Sequence, residues 1–271
     1  MSWFSAPASE TQITHGARLW LYIISGLVMF FLVVPSLIVM PMSFSGSTYL
    51  EFPPEVWSTR WYGAYFESKA WMNATKTSLT VAVLTMLLAT PMGTLAAYGL
   101  HVSRFRFSMY IYVVLSLPLM VPVIMIAIGV FFLYAKLGMI NSISGLVLAH
   151  SMLAVPLVVV LIASGLKSYD MNQEMVARSL GASRARAFLT ITLPQIRFSV
   201  ITGALLAFLT SLDEVIVALF VSGGENATIT RRMFNALRDQ IDPTIASIST
   251  LLIAVSMLLL ITAQVFGKER D

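Results

Sequence analysis

Two acidic residues, Asp213 and Glu214, stand side by side inside a long apolar run over 199–221. At a helical rise of about 1.5 Å per residue they lie roughly 20 Å along it. An ionised carboxylate at the centre of a membrane-crossing helix costs about 2.5–3.5 kcal/mol, so such groups face a bundle interior, a water-filled cavity or a partner charge. No Lys or Arg interrupts any of the long apolar runs of this chain, so the compensation comes from water, another polypeptide or a cationic solute. Three roles fit: lining a path for a protonated amine, sitting at a subunit seam with one or both carboxyls protonated, or bordering a peripheral watery pocket. Adjacent helical residues point about 100° apart, so one of the two faces the axis. Thr210, close to one turn earlier, is counted with them as a pathway residue.

The remaining reactive side chains exclude more than they offer. His150 is alone in an apolar run, where a hydrogen-bonded packing role outweighs a ligand role, and His15 and His101 add no ligand spacing. Cysteine is absent, which removes disulfides, thiolate nucleophiles and Cys-ligated zinc or iron–sulfur sites. No G-x-x-x-x-G-K-[ST] loop occurs, so the chain is not expected to bind or hydrolyse ATP. Nor is there a spaced pair of catalytic carboxylates, a metal cluster or a Ser/His/Asp set from which an intramembrane enzyme could be assembled.

The elements that must position the acidic pair follow from composition. The 271 residues are 58% hydrophobic and 11% charged, with mean hydropathy +0.83, against about 25% charged in a soluble domain. Lipid must cover part of that apolar surface. A spanning helix needs about 20 apolar residues, and six runs qualify: 19–43, 77–100, 108–134, 143–166, 199–221 and 245–266. The expected fold is therefore all-α, a single transmembrane domain over 1–271. Pro118 and Pro122 predict a kink or a re-entrant piece in the third run. Gly93, Ala96, Ala97 and Gly99 in the second run predict close helix approach. The first run is too long for a signal-peptide core and lacks a small-x-small cleavage site, so it is read as a retained span after the polar stretch 1–18.

Basic residues set the orientation. Arg18, Arg104, Arg106, Lys167, Arg178, Arg184, Arg186, Arg197, Lys268 and Arg270 fall on one side, which is the more basic. Arg60, Lys69, Lys76, Lys136, Arg231, Arg232 and Arg238 fall on the other. Both termini are thus expected to be cytoplasmic, and the net charge of +4 is a topology signal rather than a nucleic-acid footprint. The outer connection 44–76 carries Phe44, Tyr49, Phe52, Trp57, Trp61, Tyr62, Tyr65, Phe66 and Trp71, which reads as an interfacial aromatic belt or as a docking surface for an external partner.

The cytoplasmic connection 167–198 has more internal structure. Residues 170–180 favour a short helix, with Glu174 and Arg178 spaced as an i,i+4 ion pair. Met175, Val176 and Leu180 share a face, Gly181 suits a left-handed stop, and Ser183 can cap a second helix running to about Thr192. Pro194 marks the turn into the next span. The physical reading is a small amphipathic helix held off the membrane, with a solvated basic loop as the plainer alternative.

Glu174, Ala177, Leu180, Gly181 and Ala182, followed by Ile191, Leu193 and Pro194, resemble the cytoplasmic signature of the permease subunits of ABC importers. Met175 and Val176 depart from it, standing where the family has glutamate and alanine, so the acid lies one place earlier, at Glu174. Trp61-Tyr62 through Thr77-Ser78-Leu79 and Pro118 through Pro122 resemble further parts of the family. Ser211 through Gly223, with its acidic pair, is similar to the spermidine/putrescine branch. This resemblance implies a type I importer fold working by alternating access in a bacterial inner membrane. It implies partners: two copies of an ATPase subunit carrying ATP-Mg, a second and homologous permease, and an extracytoplasmic substrate-binding protein. Residues Glu174, Ala177, Arg178, Leu180, Gly181 and Ala182 would contact the ATPase. No cofactor is expected in the chain itself. An importer for gamma-aminobutyrate, opines or amino-acid-like solutes is the alternative within the family. A secondary transporter is the alternative outside it, although such a protein would carry ionisable groups or broken helices in two repeats.

Overall fold

The computed structural model describes residues 14–103, 105–239 and 241–267. Arg104, Lys268 and Arg270 of the charge pattern, with residues 1–13, lie outside them. In chain order the helices are α1 (Leu19–Met42), α2 (Arg60–Glu67), α3 (Lys69–Val102), α4 (Ser108–Ser116), α5 (Val123–Leu137), α6 (Ile143–Ser168), α7 (Asn172–Ser179), α8 (Arg184–Ala187), α9 (Leu193–Gln195), α10 (Arg197–Asp213), α11 (Ile216–Val221), α12 (Ile229–Asp239) and α13 (Thr244–Gly267).

Four of the six expected spans are continuous apolar helices: Gly16–Met42, Lys69–Val102, Ile143–Ser168 and Thr244–Thr262. The other two are broken. The run 108–134 bends by 94° between Ser108–Leu119 and Val123–Leu137. Pro118 and Pro122 have no N–H to give the helix ladder, and Pro122 takes an extended ψ of 127° just before α5, which is where proline forces a restart. The run 199–221 is corrected more substantially. Its helix begins at Arg197 after an 80° bend from Arg184–Gln195 and stops at Asp213, and α11 is a separate short helix. The second span starts earlier than its apolar run, because Ser68 Oγ accepts from Trp71 N at 3.4 Å and caps α3 ahead of Lys69.

The chain divides into two units. One takes the described residues up to Ala64 together with Asp242–Ile253. Within it α1 buries none of its residues. A helix apolar all round is covered by lipid or by another subunit. Its end is tied down by polar contacts: Ser43 Oγ donates to Met40 O at 2.6 Å and lies 2.7 Å from Tyr62 Oη, and Ser247 Oγ donates to Ser43 O at 3.2 Å. The following loop folds on itself through Gly46 N to Val56 O at 2.7 Å and Arg60 Nη1 to Gly46 O at 2.8 Å. Tyr49, Phe52 and Trp57 remain exposed on it.

The second unit spans Tyr65–Ile241 with the residues from Ala254 on. Its core joins α3, α6 and α10 around Val158, Val159, Ile162 and Ala207. Small residues set the spacing. Ala89, Gly93 and Ala97 recur every four residues on the buried face of α3, and a Cβ on Gly93 would lie 2.6 Å from Val158 Cγ1. From the other side, Gly203 of α10 approaches the same valine. The sequence grouped Gly99 with these glycines, but it points away, with nothing within 4 Å of its would-be Cβ. Gly93→Ala is therefore expected to destabilise the protein by about 1–3 kcal/mol through overpacking against a stiff valine. Gly99→Ala should be neutral or slightly stabilising. Thermal unfolding of the detergent-solubilised variants checks this, and equal midpoints would contradict the packing.

Candidate functional site

The 167–198 connection folds as its residue types dictate. Asp170 Oδ1 accepts from Asn172 N at 3.0 Å as α7 begins. The helix stops at Gly181, whose φ of +95° is a conformation that side chains with a Cβ avoid. Gly181 N and Ala182 N donate back to Arg178 O at 3.0 Å and Ala177 O at 3.1 Å, closing the end of the helix. Ser183 Oγ then accepts from Arg186 N at 3.2 Å and caps α8. A π-helical turn over Phe188–Thr192 carries the chain into α9.

These turns divide the signature residues. Met175 and Val176 are exposed, and Leu180 is 84% exposed. Arg178, Gly181, Arg184 and Arg186 are exposed with them, while Ala177 and Ala182 are half-buried. The loop thus presents an apolar knob with a basic rim. Glu174 does not belong to it. Its side chain turns inward to 2% exposure, where one carboxylate oxygen accepts from Tyr98 Oη and the other from Thr192 Oγ1, each at 2.6 Å. The expected ion pair with Arg178 is not formed, because both carboxylate oxygens are engaged elsewhere. Tyr98 and Thr192 were not singled out from the sequence. Tyr98 is an isolated hydroxyl at the end of an apolar span, 76 residues from Glu174, and nothing local marks it.

The acidic pair sits at the break between α10 and α11. Glu214 leaves the helix with an extended ψ of 114°, and its Oε1 accepts from Val217 N at 2.7 Å, capping α11. Thr230 Oγ1 donates to the Glu214 carbonyl at 2.8 Å, so α12 helps hold the break. Asp213 is exposed and has no hydrogen-bond or ion-pair partner among the described residues. Thr210, half-buried, lies close to one turn before it on the same helix. The two carboxylates therefore differ, one used in the fold and one free.

His150 takes the packing role read for it. It is 2% exposed, with Nδ1 2.8 Å from Ser211 Oγ, and Ser211 in turn donates to Thr85 at 3.4 Å. This chain of hydroxyls joins α6, α10 and α3 two residues before Asp213. Among the described residues no group of three or more His, Cys, Asp or Glu could hold a metal ion.

Comparison with known proteins gives this arrangement a context. Residues 89–268 match the family described as binding-protein-dependent transport system inner membrane component. The putrescine transport system permease protein PotI of Escherichia coli is 34% identical over 245 residues, covering 86% of this chain and 85% of PotI. The spermidine/putrescine transport system permease protein PotC of Haemophilus influenzae is 30% identical over 242 residues, covering 89% and 93%. Among solved structures, a chain of a bacterial ABC transporter involved in import of the acidic polysaccharide alginate superposes with TM-score 0.70 at 15% identity, over 96% of this chain and 99% of that one. A chain of the inward-facing MetNI methionine ABC transporter superposes with TM-score 0.55 at 13% identity, over 74% and 97%. The chain belongs to the family of binding-protein-dependent inner-membrane transport components and is a permease subunit of an ABC importer.

Proposed function

We propose that the importer served by this chain takes up polyamines, putrescine or spermidine. The observation that carries this reading is the similarity, over most of both chains, to permeases of a putrescine system and of spermidine/putrescine systems. The free carboxylate of Asp213 supports it, because a protonated amine is the solute such a group favours. The site roles follow: Asp213 on the substrate path with Thr210 beside it, and Glu214 shaping the break. At the cytoplasmic face, Ala177, Arg178, Leu180, Gly181 and Ala182 engage the ATPase. The full assembly comprises two ATPase copies carrying ATP-Mg, a second homologous permease and an extracytoplasmic binding protein, with both termini of this chain in the cytoplasm of a bacterial cell. ATP-driven closure of the ATPases moves the 167–198 loop, the helices rock, and the path opens outward to receive solute. This chain supplies no chemistry of its own beyond that movement.

Uptake of labelled putrescine and spermidine by cells with and without the gene tests the substrate. Loss of uptake on deletion, restored by the gene, is the expected result. Unchanged polyamine uptake, with loss of gamma-aminobutyrate or amino-acid uptake instead, would overturn the polyamine assignment and leave the family assignment intact.

A further inference from the structure

Glu174 is the one buried acidic side chain among the described residues, and it is also the only residue that α7 buries. Among the side chains of α7, Glu174 is therefore the one sealed fully against the body of the protein. Its two oxygens reach two different elements: Tyr98, near the C-terminal end of α3, and Thr192, at the end of the π-helical turn. The Tyr98 ring packs against Phe188 of that turn, with centroids 4.4 Å apart. From Thr192 the chain runs through α9 into α10, whose far end is Asp213. A π-helical turn often marks a functional position in a helix.

We infer that Glu174 is a positioning residue, a clamp through which displacement of α7 is transmitted to α3 and α10 together. This rests on the reading of the 167–198 loop as the ATPase-docking segment. The chemistry suits the role. Hydrogen bonds to a charged acceptor are stronger than neutral ones and directional, and two of them from separate elements hold one helix to both. With Met175 and Val176 at the exposed positions, the acid of α7 has an inward mechanical role, and the outward face of that helix is left to apolar, polar and basic side chains.

The test uses the whole importer in lipid vesicles, with its ATPase and binding protein, measuring labelled putrescine uptake and ATP hydrolysis in the same preparation. Glu174→Gln keeps the shape and removes the charge. It is expected to lower uptake per ATP hydrolysed by about tenfold while ATPase subunits co-purify in wild-type amount. Tyr98→Phe should lower the ratio as well, and its loss combined with Glu174→Gln should be less than additive, since both weaken the same charge-assisted pair of hydrogen bonds. A second readout does not depend on the solute. The chain has no native cysteine, so Thr210→Cys provides a label site whose reactivity should change on adding ATP and vanadate, and that change should vanish with Glu174→Gln. An unchanged uptake-to-hydrolysis ratio with a retained labelling change would overturn the clamp, as would fully additive losses or loss of the ATPase subunits from the Glu174→Gln complex. Leu180→Asp serves as the separate control: if that variant keeps its ATPase and its uptake, the docking reading fails instead.

Discussion

Gly181→Asp abolishes uptake while the chain remains inserted at normal abundance. The two halves of that expectation come from different observations. A Cβ at Gly181 would meet nothing within 4 Å, so no side chain is displaced and no core is disturbed. The backbone is the obstacle. At φ +95° a residue with a Cβ pays about 1–2 kcal/mol, which the loop relieves by turning α7 and α8 relative to each other. The added carboxylate also lands beside Leu180, which is 84% exposed. If that knob is buried in a partner, the new charge must be desolvated there, at several kcal/mol. Each 1.4 kcal/mol is a factor of ten, so the combined loss leaves no measurable docking. Gly181→Asn separates the terms: it keeps nearly the same backbone cost in the left-handed region and brings no charge, and partial uptake is expected. Normal uptake by a correctly inserted Gly181→Asp protein would remove the docking role from this loop.

The contrast between Gly181 and Glu174 shows what the sequence made legible. The stop at Gly181 and the cap at Ser183 are decided by neighbours within a few residues, and both form as expected. The Glu174–Arg178 pair was also a local expectation, yet an exposed i,i+4 pair is worth only about 0.2–0.5 kcal/mol. Two hydrogen bonds to a charged acceptor, at about 1.5–3 kcal/mol each, outweigh it, and their donors lie 76 and 18 residues away. The spans follow the same division. Lipid imposes a length and composition that six runs satisfy openly, and Pro118 and Pro122 announce the break between α4 and α5. The break at Asp213 carries no such mark. No proline or glycine stands there and the apolar run resumes after the acidic pair; the helix ends because Glu214 caps α11 while Thr230 holds its carbonyl, a partnership between segments that hydropathy does not register.

That break leads to the second large effect. Asp213→Asn is expected to raise the KM for a cationic solute by about tenfold to a hundredfold, while Glu214→Gln stays near wild type in uptake. A cation within about 4 Å of a carboxylate gains about 1 kcal/mol in water and about 4 kcal/mol where the effective dielectric constant is near 20. The exposed Asp213, free of partners among the described residues, lies between these limits. Glu214 is already engaged with Val217 N at 2.7 Å, and a glutamine oxygen can accept the same bond, so the cap survives the loss of charge. Glu214→Ala cannot make it and should cost about 1 kcal/mol of stability, read as a lower unfolding midpoint. Three variants thus separate two roles that adjacent carboxylates would otherwise confound. If Glu214→Gln were as damaging to uptake as Asp213→Asn, with stability unchanged, both acids would face the solute and the division of labour would be wrong. If neither variant altered uptake of a cationic solute, the path would run elsewhere and the free carboxylate of Asp213 would belong to a seam with another subunit. In that case Asp213→Asn should weaken recovery of the second permease with this chain, a result the pathway role does not produce.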